Sequence, residues 1–169
     1  PSQTLTGGDN ISTTTTRKTA TGHDITSEFS QNFPVQDPLV VTNTNDSGAG
    51  SLRAAIDYAN ANPSEDNITF NIPNAGPHLI NLATRLPTLT DDGITIDGST
   101  QSGASCNDLW SGGGHNLQVH IDGQFDGAII EPAADNLTIR GLSLTGSTLL
   151  INSQGPQTGL TIECNYLGV

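Results

Sequence analysis

The sequence has no methionine, few aromatic residues and few basic side chains. Of its 169 residues, 4% are aromatic and 13% are charged, and the 17 acidic side chains outnumber the 5 basic ones to give a net charge of −12. Binding to nucleic acid or to an anionic membrane surface needs clusters of Lys and Arg, so neither partner is expected. We interpret the acidity as charge that keeps an extracellular protein soluble, with cation binding as the alternative.

Long apolar runs and a targeting segment are also missing. No run approaches the roughly 20 apolar residues that span a bilayer, and no signal peptide is found. Because the chain opens on Pro1, we interpret it as a mature or trimmed product, so the missing signal does not argue for the cytoplasm. The abundant Gly, Thr, Asn and Ser disfavour helices and suit short strands joined by turns.

Cysteine is scarce, with only Cys106 and Cys164 in the chain. One such pair in a Lys-poor sequence hints at an oxidising compartment. A disulfide would close a loop of 58 residues and stabilise the fold by ~3–4 kcal/mol. Two unpaired buried thiols are the alternative, whereas a zinc site lacks neighbouring His ligands.

Composition divides the chain near residue 36. Residues 1–36 are Thr-rich with isolated apolar side chains, and alone they cannot offset their ordering entropy. They predict an N-terminal extension, either a flexible linker or a docking arm that adds a strand to a neighbour's edge. Residues 37–169 predict a single folded domain.

One helix is predicted, over residues 51–62. Ser51 is a suitable N-cap, and Pro63 stops the helix. Four apolar side chains share one face: Leu52, Ala55, Ile56 and Ala59. We expect this amphipathic helix to cap the end of a strand-rich domain.

A short block of alternating apolar and polar residues recurs after the helix. Its four copies are Ile94–Gly98, Val119–Gly123, Leu137–Gly141 and Leu160–Cys164. Each copy is too short to bury its apolar face alone, so the repeat predicts parallel stacking into an all-β solenoid with one N-terminal capping α-helix. We expect Ile96, Ile121, Ile139 and Ile162 to form one internal ladder, and Gly98, Gly123 and Gly141 to lie at a corner.

Several segments of residues 38–169 carry a family resemblance. The segments Val41–Asn60, Ile68–Pro73, Leu86–Cys106 and Ile162–Val169 are similar to the start of bacterial right-handed parallel β-helix repeat surface proteins. The resemblance implies a right-handed parallel β-helix on an exported protein and says little about chemistry. Family members commonly carry Gly where Cys164 stands, which makes a deliberate link to Cys106 more plausible.

Carboxylates recur at one position of the block. Asp97, Asp122 and Glu163 share that position with Arg140, and we interpret them as a surface charge ladder. The alternative is a weak cation site at Asp97, Asp122 and Glu163 that would hold Ca²⁺. No cofactor is otherwise predicted.

The insertion at residues 107–116 contains Trp110 and His115. We name these two as a candidate contact for a glycan or a partner protein, because an exposed Trp stacks on sugar rings. Cover of a hydrophobic edge is the alternative for Trp110.

Catalytic motifs of polysaccharide-cleaving enzymes occur only as fragments, such as Asp91-Asp92 and Gly114-His115, so no catalytic residue is predicted. We expect a non-catalytic structural or adhesive module, secreted or on a bacterial surface, that assembles with copies of itself or with the rest of a longer β-helix. Its arm would serve filament formation, and cell-surface glycans are further expected partners. A polysaccharide lyase or hydrolase, or a glycan-binding module, is the alternative.

Overall fold

The computed structural model describes residues 36–64, 66–107 and 113–168, together with the backbone of four short strands nearer the N-terminus. The chain divides into two compact units, Pro1–Asp37 and Pro38–Val169. The short strands of the first unit are β1 (Asn10–Ile11), β2 (Thr16–Lys18), β3 (Asp24–Thr26) and β4 (Phe33–Pro34). Strand β1 pairs antiparallel with β4, and β2 pairs antiparallel with β3. The docking role predicted for residues 1–36 lies largely outside the described residues.

The second unit contains two parallel sheets. The first sheet holds β5 (Val40–Val41), β6 (Asn67–Phe70), β8 (Thr95–Asp97), β10 (Thr138–Arg140) and β12 (Thr161–Glu163). The second sheet holds β7 (His78–Asn81), β9 (Val119–Ile130), β11 (Leu142–Ile151) and β13 (Tyr166–Leu167). From β6 onward the chain alternates between the sheets, so that each strand of the first sheet and the following strand of the second form one layer.

The predicted all-β solenoid, the right-handed parallel β-helix with one isoleucine ladder, is wrong. The structure has two parallel sheets, of five and four strands, together with an α-helix. Ile96 and Ile162 both align with Ile139 in the first sheet. Ile121 instead lies in the second sheet, aligned with Ile80. The block has the same apolar–polar alternation in either sheet, so the pattern does not reveal which sheet a copy joins.

The predicted helix is confirmed as α1 (Leu52–Ala61). The Ser51 hydroxyl accepts a hydrogen bond from the Ala54 backbone N–H at 3.2 Å, which satisfies one of the free donors of the first turn. The apolar face is fully buried, and Ile56 belongs to the same apolar cluster as Ile68 and Ile80. One core therefore joins the helix to both sheets.

Glycine positions at the turns follow from close packing between layers. Gly141 has a φ of +73°, and a Cβ there would clash with the backbone of Ser99. Gly98 follows β8 and packs against the Gly141 carbonyl, so the corner position predicted for these two glycines is confirmed. Gly123 lies inside β9 rather than at a corner, and its predicted position is wrong. Cys164 takes the equivalent turn position after β12, with a φ of +54°.

Candidate functional site

The outer face of the first sheet carries two columns of polar side chains. Alternation along β6, β8 and β10 buries the central isoleucine of each strand and turns its neighbours outward. One column contains Asn67, Thr95, Thr138 and Thr161, and the other contains Thr69, Asp97, Arg140 and Glu163. Most of these side chains, with Asp66 and Asn136 beside them, line an open groove of about 570 Å³, which we term the outer groove.

A guanidinium lies between two carboxylates in the outer groove. Arg140 Nη1 is 3.4 Å from Glu163 Oε1, and Arg140 Nε is 3.7 Å from Asp97 Oδ1. The second distance is too long for a hydrogen bond. Arg140 Nε is buried and has no hydrogen-bond partner among the described residues. The groove therefore contains an N–H donor whose hydrogen-bonding capacity is unused.

Asp66 contributes an unused acceptor to the same groove. Only 6% of this residue is exposed. Its Oδ1 accepts a hydrogen bond from the Ser64 hydroxyl, whereas its Oδ2 is buried and has no partner within the described part of the chain. A buried carboxylate oxygen without a partner costs free energy. A bound ligand that donates a hydrogen bond would remove that cost.

The three carboxylates predicted as a cation site do not come together. Asp97 and Glu163 lie on the outer groove with Arg140 between them. Asp122 lies on the second sheet, where its Oδ2 accepts a hydrogen bond from Gln124 at 3.3 Å. Among the described residues, no group of three or more His, Cys, Asp or Glu side chains is arranged to hold a metal ion. The surface-ladder interpretation fits Asp97, Arg140 and Glu163 but not Asp122.

His115 lies in the loop before β9 and lines a cavity of about 380 Å³ together with residues of the second sheet. Its Nδ1 is buried and without a hydrogen-bond partner in the described residues, and His120 and Tyr166 line the same cavity. Trp110, its predicted companion, lies outside the described residues. The structure thus places one of the two candidate contact residues in a polar cavity.

The two cysteines are joined. The Cys106–Cys164 disulfide spans a Cα–Cα distance of 5.6 Å. It links the loop that follows β8 to the turn between β12 and β13. The bridge therefore attaches the layer formed by β12 and β13 to an earlier part of the domain.

Gln101, a further buried polar residue, holds the start of that same loop. Its side chain is buried and pairs with both backbone groups of Ile72, accepting from N–H at 2.8 Å and donating to the carbonyl at 2.9 Å. No sequence pattern distinguishes Gln101 from the surrounding turn residues. The sequence does not distinguish Asp66 as a site residue either, because a polar residue before a strand is typical of a turn.

The strands β12 and β13 form an exposed edge, which we term the open edge. Within the described chain, β12 pairs only with β10, and β13 pairs only with β11. Ile162 is 43% exposed although its ladder partner Ile139 is fully buried. Leu167 is 50% exposed although its partner Leu144 is fully buried. Both apolar ladders therefore reach the surface at this edge.

Comparisons with protein-family models, curated proteins and solved structures found no match to this chain. The resemblance to bacterial surface proteins therefore stays a prediction. In the described residues, no helix has the length and apolarity needed to cross a membrane.

Proposed function

We propose that the chain is a non-catalytic structural module of the cell exterior whose open edge associates with further β-structure, either a second copy or additional layers of a longer chain. A chain of residues 1–169 is expected to cover this edge with a second copy. The observation that carries the proposal is the exposure of Ile162 and Leu167. Each continues a ladder whose inner members are fully buried. A second copy that covered this edge would complete both ladders.

The energetics favour a weak, concentration-dependent contact. Covering the exposed halves of Ile162 and Leu167 stabilises the complex by about 1 kcal/mol per side chain. Two copies contribute four such side chains, and pairing of the open backbone groups along β12 and β13 adds hydrogen bonds. Association costs at least about 4 kcal/mol in lost translational and rotational freedom. We therefore expect dimerisation at high protein concentration and dissociation on dilution.

The end of the domain opposite the open edge is covered by α1, which favours two-fold symmetry between the two copies. Helix α1 buries its apolar face against the core at the β5 end of the first sheet, so this end presents no matching ladder. Like edges then meet each other, and β12 of one copy pairs antiparallel with an edge strand of its partner. Such an isologous contact closes on itself and yields dimers rather than filaments.

The remaining parts of the proposal rest on charge and redox chemistry. The Cys106–Cys164 disulfide supports an oxidising compartment, as does the resemblance to exported bacterial proteins. Arg140 occupies the space between Asp97 and Glu163. Glycoside hydrolysis needs such space free for the scissile bond. This occupation supports a structural role for the two carboxylates.

Sedimentation velocity across about a hundredfold range of concentration tests the proposal. The unmodified chain is expected to shift from monomer to dimer. The double variant Ile162→Thr/Leu167→Thr is expected to stay monomeric. The matched control is Leu79→Thr, because Leu79 is 49% exposed but projects from the outer face of β7, outside both ladders. This control should dimerise like the parent chain.

Two results would contradict the proposal. One is a chain that remains monomeric at every concentration. The other is equal loss of dimer in the double variant and in Leu79→Thr, which would show that any exposed apolar side chain supports association. Circular dichroism of each variant verifies that the strands remain folded.

A further inference from the structure

We infer that the outer groove binds a neutral oligosaccharide. This inference goes beyond association at the open edge and rests on different observations. Those observations are two buried polar atoms without a hydrogen-bond partner in one groove, a ladder of hydroxyl groups along it, and an excess of negative charge.

A ligand that both donates and accepts hydrogen bonds would complement both of these atoms. Asp66 Oδ2 accepts only, and Arg140 Nε donates only. A hydroxyl group can satisfy either atom. The groove, at about 570 Å³, is far larger than the ~30 Å³ that one water molecule occupies. It has room for a ligand that carries many hydroxyl groups.

A repeated ligand fits a repeated surface. Thr95, Thr138 and Thr161 are in register on three neighbouring strands, which places their hydroxyls about 4.8 Å apart along the groove. The amide side chains of Asn67 and Asn136 add donors and acceptors beside them. A chain of sugars presents hydroxyl groups at intervals, so several can bond to this column at once.

The negative charge of the groove and of the whole chain favours neutral sugars over acidic ones. Among the described residues, the groove contains the carboxylates of Asp66, Asp97 and Glu163 but only one cationic side chain, Arg140. The whole chain has a net charge of −12. A polymer of uronic acids would be repelled by both, whereas a neutral oligosaccharide would not. No aromatic side chain lines the groove among the described residues, so binding should be weak, with a Kd on the order of 1 mM.

Titration of the full chain with cellohexaose and with mannohexaose, followed by NMR or calorimetry, tests the inference. At least one of these neutral sugars is expected to bind saturably, and a galacturonic acid hexamer is expected not to bind. The variant Asp66→Asn should weaken binding about tenfold or more, because a charged acceptor is lost from a buried site. The matched control is Asp126→Asn, which makes the same charge change at an exposed residue outside the groove.

A second variant guards against misfolding of Asp66→Asn. Thr138→Val keeps the branched shape in the middle of the ladder and removes one hydroxyl, so it should weaken binding a fewfold without unfolding the sheet. The inference is overturned if neither neutral sugar binds by about 10 mM, if the acidic hexamer binds more tightly, or if both groove variants bind like Asp126→Asn. Dimerisation is measured separately on the same variants, and Asp66→Asn should not change it. Sugar binding and dimerisation can therefore be confirmed or contradicted independently.

Discussion

Replacement of Ile139 by alanine tests whether the first sheet's isoleucine ladder is a packed core. Ile139 is fully buried between Ile96 and Ile162. The substitution removes three carbon groups at ~0.8 kcal/mol each, and the cavity left behind adds to this cost. We expect a total loss of about 3–4 kcal/mol in the free energy of unfolding.

Ile162→Ala is the matched control, because it makes the same change in the same ladder. Ile162 is 43% exposed and borders solvent at the open edge, so little cavity forms and less apolar surface is lost. We expect a cost of about 1 kcal/mol in dilute solution.

Urea unfolding of both variants, monitored by circular dichroism with the disulfide intact, measures the difference between them. The chain must be dilute enough to be monomeric, because a dimer would bury Ile162 and raise its cost. Equal costs for Ile139→Ala and Ile162→Ala, or a cost below about 1.5 kcal/mol for Ile139→Ala, would refute the reasoning. Such a result would mean that the ladder is not packed as described.

Three further predictions concern the disulfide, a turn and a half-buried arginine. The double variant Cys106→Ser/Cys164→Ser should have a free energy of unfolding about 4 kcal/mol lower than that of the disulfide-bonded chain in denaturant unfolding. The parent chain under reductant should lose the same amount. A loss below about 1 kcal/mol would contradict this prediction. Gly141→Ala should lower the free energy of unfolding by at least about 2 kcal/mol, because Gly141 has a positive φ and packs against the backbone of Ser99. The control Gly114→Ala, with open space around it, should leave stability unchanged. Similar losses in the two variants would contradict the described turn at Gly141. Arg53→Lys should lower the free energy of unfolding by about 2 kcal/mol, because the Arg53 guanidinium bonds to Asp46 and to the carbonyls of Thr84 and Arg85. The control Arg85→Lys, at a side chain 55% exposed, should lower it by under about 0.5 kcal/mol. A larger loss for Arg85→Lys than for Arg53→Lys would contradict the network.

Local features of the fold could be predicted from the sequence. The N-cap at Ser51, the apolar face of α1 and the alternation within the blocks of β8 and β10 depend on neighbouring residues, and the structure has all three. The assignment of strands to sheets depends on which strands pair across the domain. Ile96 and Ile121 occupy the same position in their blocks, yet they lie in different sheets. That information is absent from a pattern of alternation.

The candidate groove was predictable only in part. Asp97, Arg140 and Glu163 were expected to form one column because their blocks repeat, and these three blocks belong to the same sheet. Asp122 follows the same pattern but lies in the other sheet. Asp66 precedes β6, and its backbone carbonyl accepts a hydrogen bond from the N–H of Thr95, 29 residues further along the chain. The burial of Asp66 Oδ2 without a hydrogen-bond partner is a property of the packed structure, so it could not be predicted from the sequence.

Hydrogen exchange at the backbone amides of β12 and β13 tests association at the open edge most directly. As the protein concentration rises, we predict increased protection at Thr161–Glu163 and Tyr166–Leu167, with unchanged protection at His78–Asn81 on the far edge of the second sheet. Protection that is independent of concentration, or that rises on β7 instead, would contradict the account.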